Sequence, residues 1–119
     1  GGEIFDPLYI AGATGNSSLM AFTKTLGSRS LDDNIRVVGV NPGPVDTERI
    51  YKILRNRSRK LYGDENHVEE LLKTYPLSRP AHVREITDLI AFLVSEKSGY
   101  TSGVVFTVDG GISSRSSII

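Results

Sequence analysis

The sequence predicts an α/β domain organised round a parallel sheet, and three observations carry that reading. Ile35-Arg36-Val37-Val38-Gly39-Val40 is a β-branched run stopped by Asn41-Pro42-Gly43-Pro44, the pattern of a buried strand that ends in a rigid turn. Val104 to Val108 is a second apolar run, closed by Asp109-Gly110-Gly111. Segments of helical period precede both, and helix, strand, helices, helix, strand is the alternation of a parallel α/β fold. Two strands alone do not complete such a sheet, so the rest is expected outside these 119 residues.

The elements follow in order. Residues 1–8 lack periodicity and read as a loop containing Pro7. A helix is expected over about 9–30, because Leu19, Phe22, Thr23 and Leu26 recur at helical spacing and Gly27 with Ser28 loosens the end. Its first half is built of small residues, Ala11, Gly12, Ala13, Gly15, Ser17 and Ser18. Each interior glycine weakens a helix by roughly 1 kcal/mol, which is tolerable where another backbone or a ligand comes close. After the first strand, Asp46 or Thr47 is placed to cap a helix running to about Lys60, and a shorter one is expected from about Glu65 to Lys73. Pro80 suits the first turn of a helix over 81–96, whose apolar stripe is Val83, Ile86, Ile90, Leu93 and Val94.

Composition removes several classes of function. Fourteen basic residues balance fourteen acidic ones, so no net field draws the chain to nucleic acid or an anionic membrane. There is no cysteine, hence no disulfide framework and no thiolate metal site; this fits the cytoplasm. His67 and His82 stand alone without a second ligand at metal spacing, and no metal is expected. No apolar run approaches the ~20 residues of a membrane span. The chain opens Gly1-Gly2-Glu3 without a methionine and shows no internal repeat or linker, so residues 1–119 are expected to be the C-terminal part of a single domain from a longer protein.

Three stretches, in order, resemble the short-chain dehydrogenase/reductase family. Asn34 to Thr47 is similar to the family's sixth strand with its proline-glycine turn. Pro76-Leu77-Ser78-Arg79 and the helix ending Phe92-Leu93-Val94-Ser95 look like its late helix, and Tyr100 to Gly111 resembles its closing strand and double glycine. The resemblance implies the C-terminal half of a Rossmann-type doubly wound parallel sheet and a bound NAD or NADP. It further implies that Pro42, Gly43, Pro44 and Val45 meet the nicotinamide carboxamide and that Thr47 contacts the cofactor phosphates. Such a position agrees with the rule that ligands of open α/β sheets sit beyond the carboxyl ends of the strands. By themselves these residues describe a tight strand-to-helix turn with a capping threonine.

The resemblance also locates what is missing. The family's first helix here carries Tyr-x-x-x-Lys, in which the tyrosine exchanges a proton with the substrate oxygen and the lysine lowers its pKa and holds the ribose. Aligning Ser17-Ser18-Leu19 and Phe22-Thr23-Lys24 with that helix puts Gly12 at the tyrosine position and Asn16 at the lysine position. Asn16 keeps the ability to hydrogen-bond a ribose hydroxyl; Gly12 has no proton to give. Val38 stands where the family usually has asparagine, Arg29 where glutamate is common, and the family's serine would precede Gly1. Tyr9, seven residues before Asn16, shares its face but is about 10 Å away by helix rise, and reads as packing at the helix entrance. Tyr51, Tyr62 and Tyr75 fall where the family has a mobile substrate lid and read as packing or rim residues. Catalytic residues are therefore left unassigned.

Two other readings come from the residues. Leu8 to Ala11 as a strand, with Gly12-Ala13-Thr14-Gly15 as a phosphate-cradling turn, would make a nucleotide-binding start, although Ser18 replaces its third glycine. The cations Lys52, Arg55, Arg57, Arg59 and Lys60 suit a phosphorylated or coenzyme-A-linked substrate, or simply a solvated helix face balanced by Asp64, Glu65, Glu69 and Glu70. The expected function is hydride transfer between a nicotinamide cofactor and a carbonyl or secondary alcohol, with a small-molecule substrate. The alternative is a nucleotide-binding scaffold without turnover. Gly12, Gly15, Ser18 and Ala21, three apart, form a small-residue stripe that in the family pairs with its copy. With Ser117-Ile118-Ile119 at a second contact, this leads us to expect a homodimer or a homotetramer of D₂ symmetry.

Overall fold

The computed structural model describes residues 1–115, so the Ser117-Ile118-Ile119 contact lies outside the described residues. Among the described residues are four α-helices and two strands: α1 (Ile10–Gly27), β1 (Val38–Pro42), α2 (Glu48–Tyr62), α3 (Val68–Leu72), α4 (Val83–Val94) and β2 (Val104–Val108). The strands pair as a parallel two-stranded sheet. The described chain divides into two compact units, Gly1–Asn41 with Thr87–Val108, and Pro42–Ile86 with the residues from Asp109 on.

In the first unit α1 lies against β2. Its many hydroxyls do not compete with the helix, because they bond carbonyls one turn back: Thr14 to Ile10 at 2.8 Å, Ser18 to Thr14 at 2.9 Å, Thr23 to Leu19 at 2.8 Å. Since 10–27 is helical, the strand and phosphate turn considered for Leu8–Gly15 do not form. The apolar residues that betray the helix face outward: Leu19 is 63% and Phe22 61% exposed. Ala13 and Gly27 are its buried residues. At the far end of α4, Arg36 donates to the carbonyl of Leu93 at 2.6 Å and to that of Ser98 at 3.2 Å, placing a cation on helix-terminal oxygens.

β1 starts three residues later than the apolar run suggests. Ile35 N–H bonds Ser30 O at 3.0 Å and Val37 N–H bonds Ser102 Oγ at 3.1 Å, so this stretch is tied to loops before it joins the ladder. The strand also runs on to Pro42, a position where the missing N–H is harmless because the ladder ends there.

The second unit packs α2 on α3 around Leu54, Leu71 and Leu72, with Ile50, Tyr51, Val68 and Tyr75 against them. Ser58, fully buried beside them, is satisfied: it donates to Asp64 O at 2.6 Å and accepts from His67 N–H at 3.2 Å. Gly63 closes α2 in the left-handed conformation, φ 86°.

Pro80 is not a first-turn residue of α4. Ala81 instead pairs with Val45 in an isolated parallel bridge, which holds residues 80–81 extended and delays the helix to Val83. Glu85 then accepts from His82 N–H at 2.7 Å, the return half of a capping box. Arg79 grips the same carboxylate with two bonds, 2.8 and 3.0 Å. These bonds draw the Glu85 carboxyl down to about 2, the Arg79 contact being the largest cause.

Candidate functional site

The turn after β1 belongs to the second unit and is built by its neighbours. A Cβ on Gly43 would lie 2.7 Å from Asp109 Cβ and 2.9 Å from Asp109 Cα, so only glycine lets the turn seat against the residue that ends β2. Asp109 is itself fixed, accepting from Gly111 N–H and Ser113 N–H at 2.8 Å each. Burial pushes its carboxyl up, and the hydrogen bonds from Ser113, Gly111 and Ile112 outweigh it and hold the group below its ordinary value. The glycine thus answers a demand of protein packing, a role for Asp109 that Val-Asp-Gly-Gly alone did not disclose.

Val45 is the next residue on. Ala81 N–H donates to Pro44 O and Asp46 N–H donates to Ala81 O, both at 2.8 Å, so Ala81 uses both its backbone groups on the bridge. By the geometry of a parallel pair, those of Val45 then face the other way. Val45 N–H has no partner among the described residues, and Val45 O receives only the Thr47 hydroxyl, at 3.3 Å. Thr47 sits at the N-cap position of α2 as expected, but its side chain makes no capping bond; Ile50 N–H bonds Thr47 O at 3.1 Å, and the N–H groups of Glu48 and Arg49 have no partner among the described residues. Pro42, Gly43, Pro44, Val45 and Thr47 therefore form one continuous turn. Nearby, the Asp46 carboxylate raises the Tyr51 phenol, chiefly through a hydrogen bond, and burial raises that of Tyr75.

Asn16 and Gly12 belong to α1, in the first unit. Asn16 is exposed, and its Nδ2 donates to Gly12 O at 2.8 Å, which leaves Oδ1 free to accept. Tyr9 stands at the entrance of α1. It is the N-cap of α1 with non-helical φ −135° and ψ 44°, so its side chain does not follow the helix path. Its ring folds over Gly12, where an added Cβ would meet Cε1 and Cζ at 1.9 Å and Cε2 at 2.5 Å. Asp6 fixes this entrance, accepting from Leu8 N–H at 2.8 Å on its side chain and from Tyr9 N–H at 2.9 Å on its carbonyl. A tyrosine three residues before a glycine was the signal available in the sequence; the non-helical Tyr9 backbone was not.

His67 lies against the Tyr62 ring, centroids 4.2 Å apart, and bonds Asp64 at 3.0 Å. Of the α2 cations, Arg59 pairs with Glu65. Among the described residues no group of three His, Asp or Glu side chains is gathered for a metal.

Residues 7–113 match a family model described as enoyl-(acyl carrier protein) reductase. The chain is 32% identical over 111 residues to the oxidoreductase UcpA of Salmonella typhimurium, covering 93% of this chain and 41% of that protein. It thus spans about two fifths of the length of that curated relative. Among solved structures, a short-chain dehydrogenase family protein from Francisella tularensis is similar over 94% of this chain and 47% of its own, with TM-score 0.80 and 28% identity. L-sorbose reductase from Gluconobacter frateurii, solved with NADPH and L-sorbose, gives TM-score 0.72 and 30% identity over 94% of this chain and 42% of its own.

Proposed function

Because this chain belongs to the short-chain dehydrogenase/reductase family, we propose that the intact protein is an NAD- or NADP-dependent oxidoreductase interconverting a carbonyl and a secondary alcohol. The Val45 backbone carries this reading. A primary carboxamide needs a donor and an acceptor side by side, and the outward N–H and C=O of Val45 supply both. Pro42, Gly43 and Pro44 hold that unit rigid, with Gly43 locked on Asp109. Thr47, free of capping duty at the start of α2, offers its hydroxyl where phosphate oxygens are favoured by the open N–H groups and the helix dipole. In the first unit, taken by itself, Asn16 Oδ1 is an acceptor of the kind a ribose hydroxyl needs. When bound, the nicotinamide supplies or accepts the hydride; the residues of this chain orient it.

The substrate is a small molecule in this reading, and the outward Leu19 and Phe22 beside the Gly15, Ser18 and Ala21 stripe support a homodimer or homotetramer. No helix among the described residues is long and apolar enough to cross a membrane; the lack of cysteine supports the cytoplasm. Gly12 and Asn16, in place of the proton donor and its lysine, favour a second reading, a nucleotide-binding scaffold. Calorimetric titration of the intact protein with NAD(H) and NADP(H) tests what both share. Saturable binding of at least one is expected, and neither heat nor thermal shift at millimolar concentration of all four would remove both readings.

A further inference from the structure

We propose that Tyr9 is the catalytic proton donor, its phenol brought over Gly12 to stand in for the side chain that position 12 lacks. This rests on the oxidoreductase reading and names the group it needs. The ring occupies the space where a side chain would leave α1 at residue 12, with Cζ, the carbon bearing the hydroxyl, 1.9 Å from the place of a Cβ. No residue but glycine at 12 admits that arrangement. Tyr9 is half exposed. Its N–H is held by Asp6 O at 2.9 Å, and its φ −135° and ψ 44° differ from those of the helix it caps. One turn beyond Gly12, Asn16 ties its Nδ2 to the Gly12 carbonyl and fixes the backbone on which the ring rests. A ring serving only as packing at a helix entrance needs neither a glycine beneath it nor exposure at its edge.

In the reductive direction a bound nicotinamide would supply the hydride, with its two electrons, for the carbonyl carbon. The carbonyl π pair moves to oxygen, which takes the proton from Tyr9 Oη. The phenolate left behind regains a proton from water. In the reverse direction the Tyr9 phenolate would take the alcohol proton, and a bound oxidised cofactor would accept the hydride.

Two measurements on the intact protein test this. With 3-fluorotyrosine incorporated, the ¹⁹F resonance assigned to residue 9 by its loss in Tyr9→Phe is followed while NAD(H) and NADP(H) are added, with calorimetry in parallel. The Tyr9 resonance is expected to move at saturation, and to move without cofactor in Gly12→Ala, which displaces the ring. Calorimetric binding with a stationary Tyr9 resonance overturns this inference and leaves the cofactor reading standing. Absence of binding by all four nucleotides overturns the cofactor reading and this inference with it. Over a panel of linear and cyclic ketones, Tyr9→Phe is expected to lower kcat by about 100-fold or more at unchanged cofactor affinity, the size of effect general acids contribute. Full turnover by Tyr9→Phe, which keeps the ring and loses only the hydroxyl, overturns the assignment.

Discussion

Gly27 and Gly103 meet backbone to backbone: a Cβ on Gly27 would stand 2.4 Å from Gly103 N and 2.5 Å from its Cα. The last residue of α1 is thereby pressed on the loop that enters β2, and Ser102 Oγ, 2.9 Å from Gly27 O, stitches the approach. Gly27→Ala should therefore destabilise the intact protein by about 1–3 kcal/mol or more, the cost of forcing atoms into a filled site. Gly15→Ala, on the same helix with nothing within 4 Å of the new methyl, should instead stabilise by about 0.5–1 kcal/mol. Opposite shifts in urea midpoint are the expected result, and equal shifts would contradict the close approach.

The Arg79–Glu85 fork makes a pH prediction. The Glu85 carboxyl lies at about 2, below the ordinary 4.5, so the folded state prefers it ionised. Its contribution is complete above pH 4.5 and disappears as the pH falls through the interval down to about 2. The difference in melting temperature between the parent and Glu85→Gln should be constant from pH 8 to 5 and narrow below that. A difference that widens toward acid would reverse the sign and refute the account.

Thr47 separates binding from folding. Because its hydroxyl does not cap α2 and, among the described residues, makes only the 3.3 Å bond to Val45 O, Thr47→Val should change stability by less than about 0.5 kcal/mol. Loss of a hydroxyl bond to a charged phosphate costs about 1.5 kcal/mol, roughly tenfold in affinity for the cofactor. Calorimetry and a melt on the same sample check both numbers; an unchanged affinity would leave Thr47 without a role in phosphate binding.

Assembly is tested on the outward face of α1. Exposed Leu19 and Phe22, next to exposed Ser18, give a contact surface that an arginine would spoil. Light scattering of the intact protein at micromolar concentration should give a dimer or tetramer mass, and Ser18→Arg should lower it. A monomer mass for the parent, or an unchanged mass for the variant, would each argue against this face.

How far the sequence discloses this architecture depends on whether the deciding contacts are local. The helices α1 and α4 and the strand β2 were legible because period and β-branching are local signals. The start of β1 was not, since Ile35 and Val37 have the same character as Val38 and differ only in being tied to Ser30 and Ser102. The start of α4 was misplaced for a similar reason: pairing of Ala81 with Val45, thirty-six positions earlier, overrides the preference of Pro80 for a first turn. In the turn, Pro42 to Thr47 could be singled out, but not Asp109, whose fit against Gly43 spans the chain. The fold of the Tyr9 ring over Gly12 is not legible either, since it depends on the φ −135° and ψ 44° of the residue that caps α1.

The ring of Tyr9 over Gly12 binds the histories of the two positions together. Any single replacement of Gly12 collides with the ring. A tyrosine at 12 thus requires a residue at 9 that leaves it room. Among relatives that share this helix, the pair should be inherited as a unit: tyrosine at 9 with glycine at 12, or tyrosine at 12 with a residue at 9 that leaves it room.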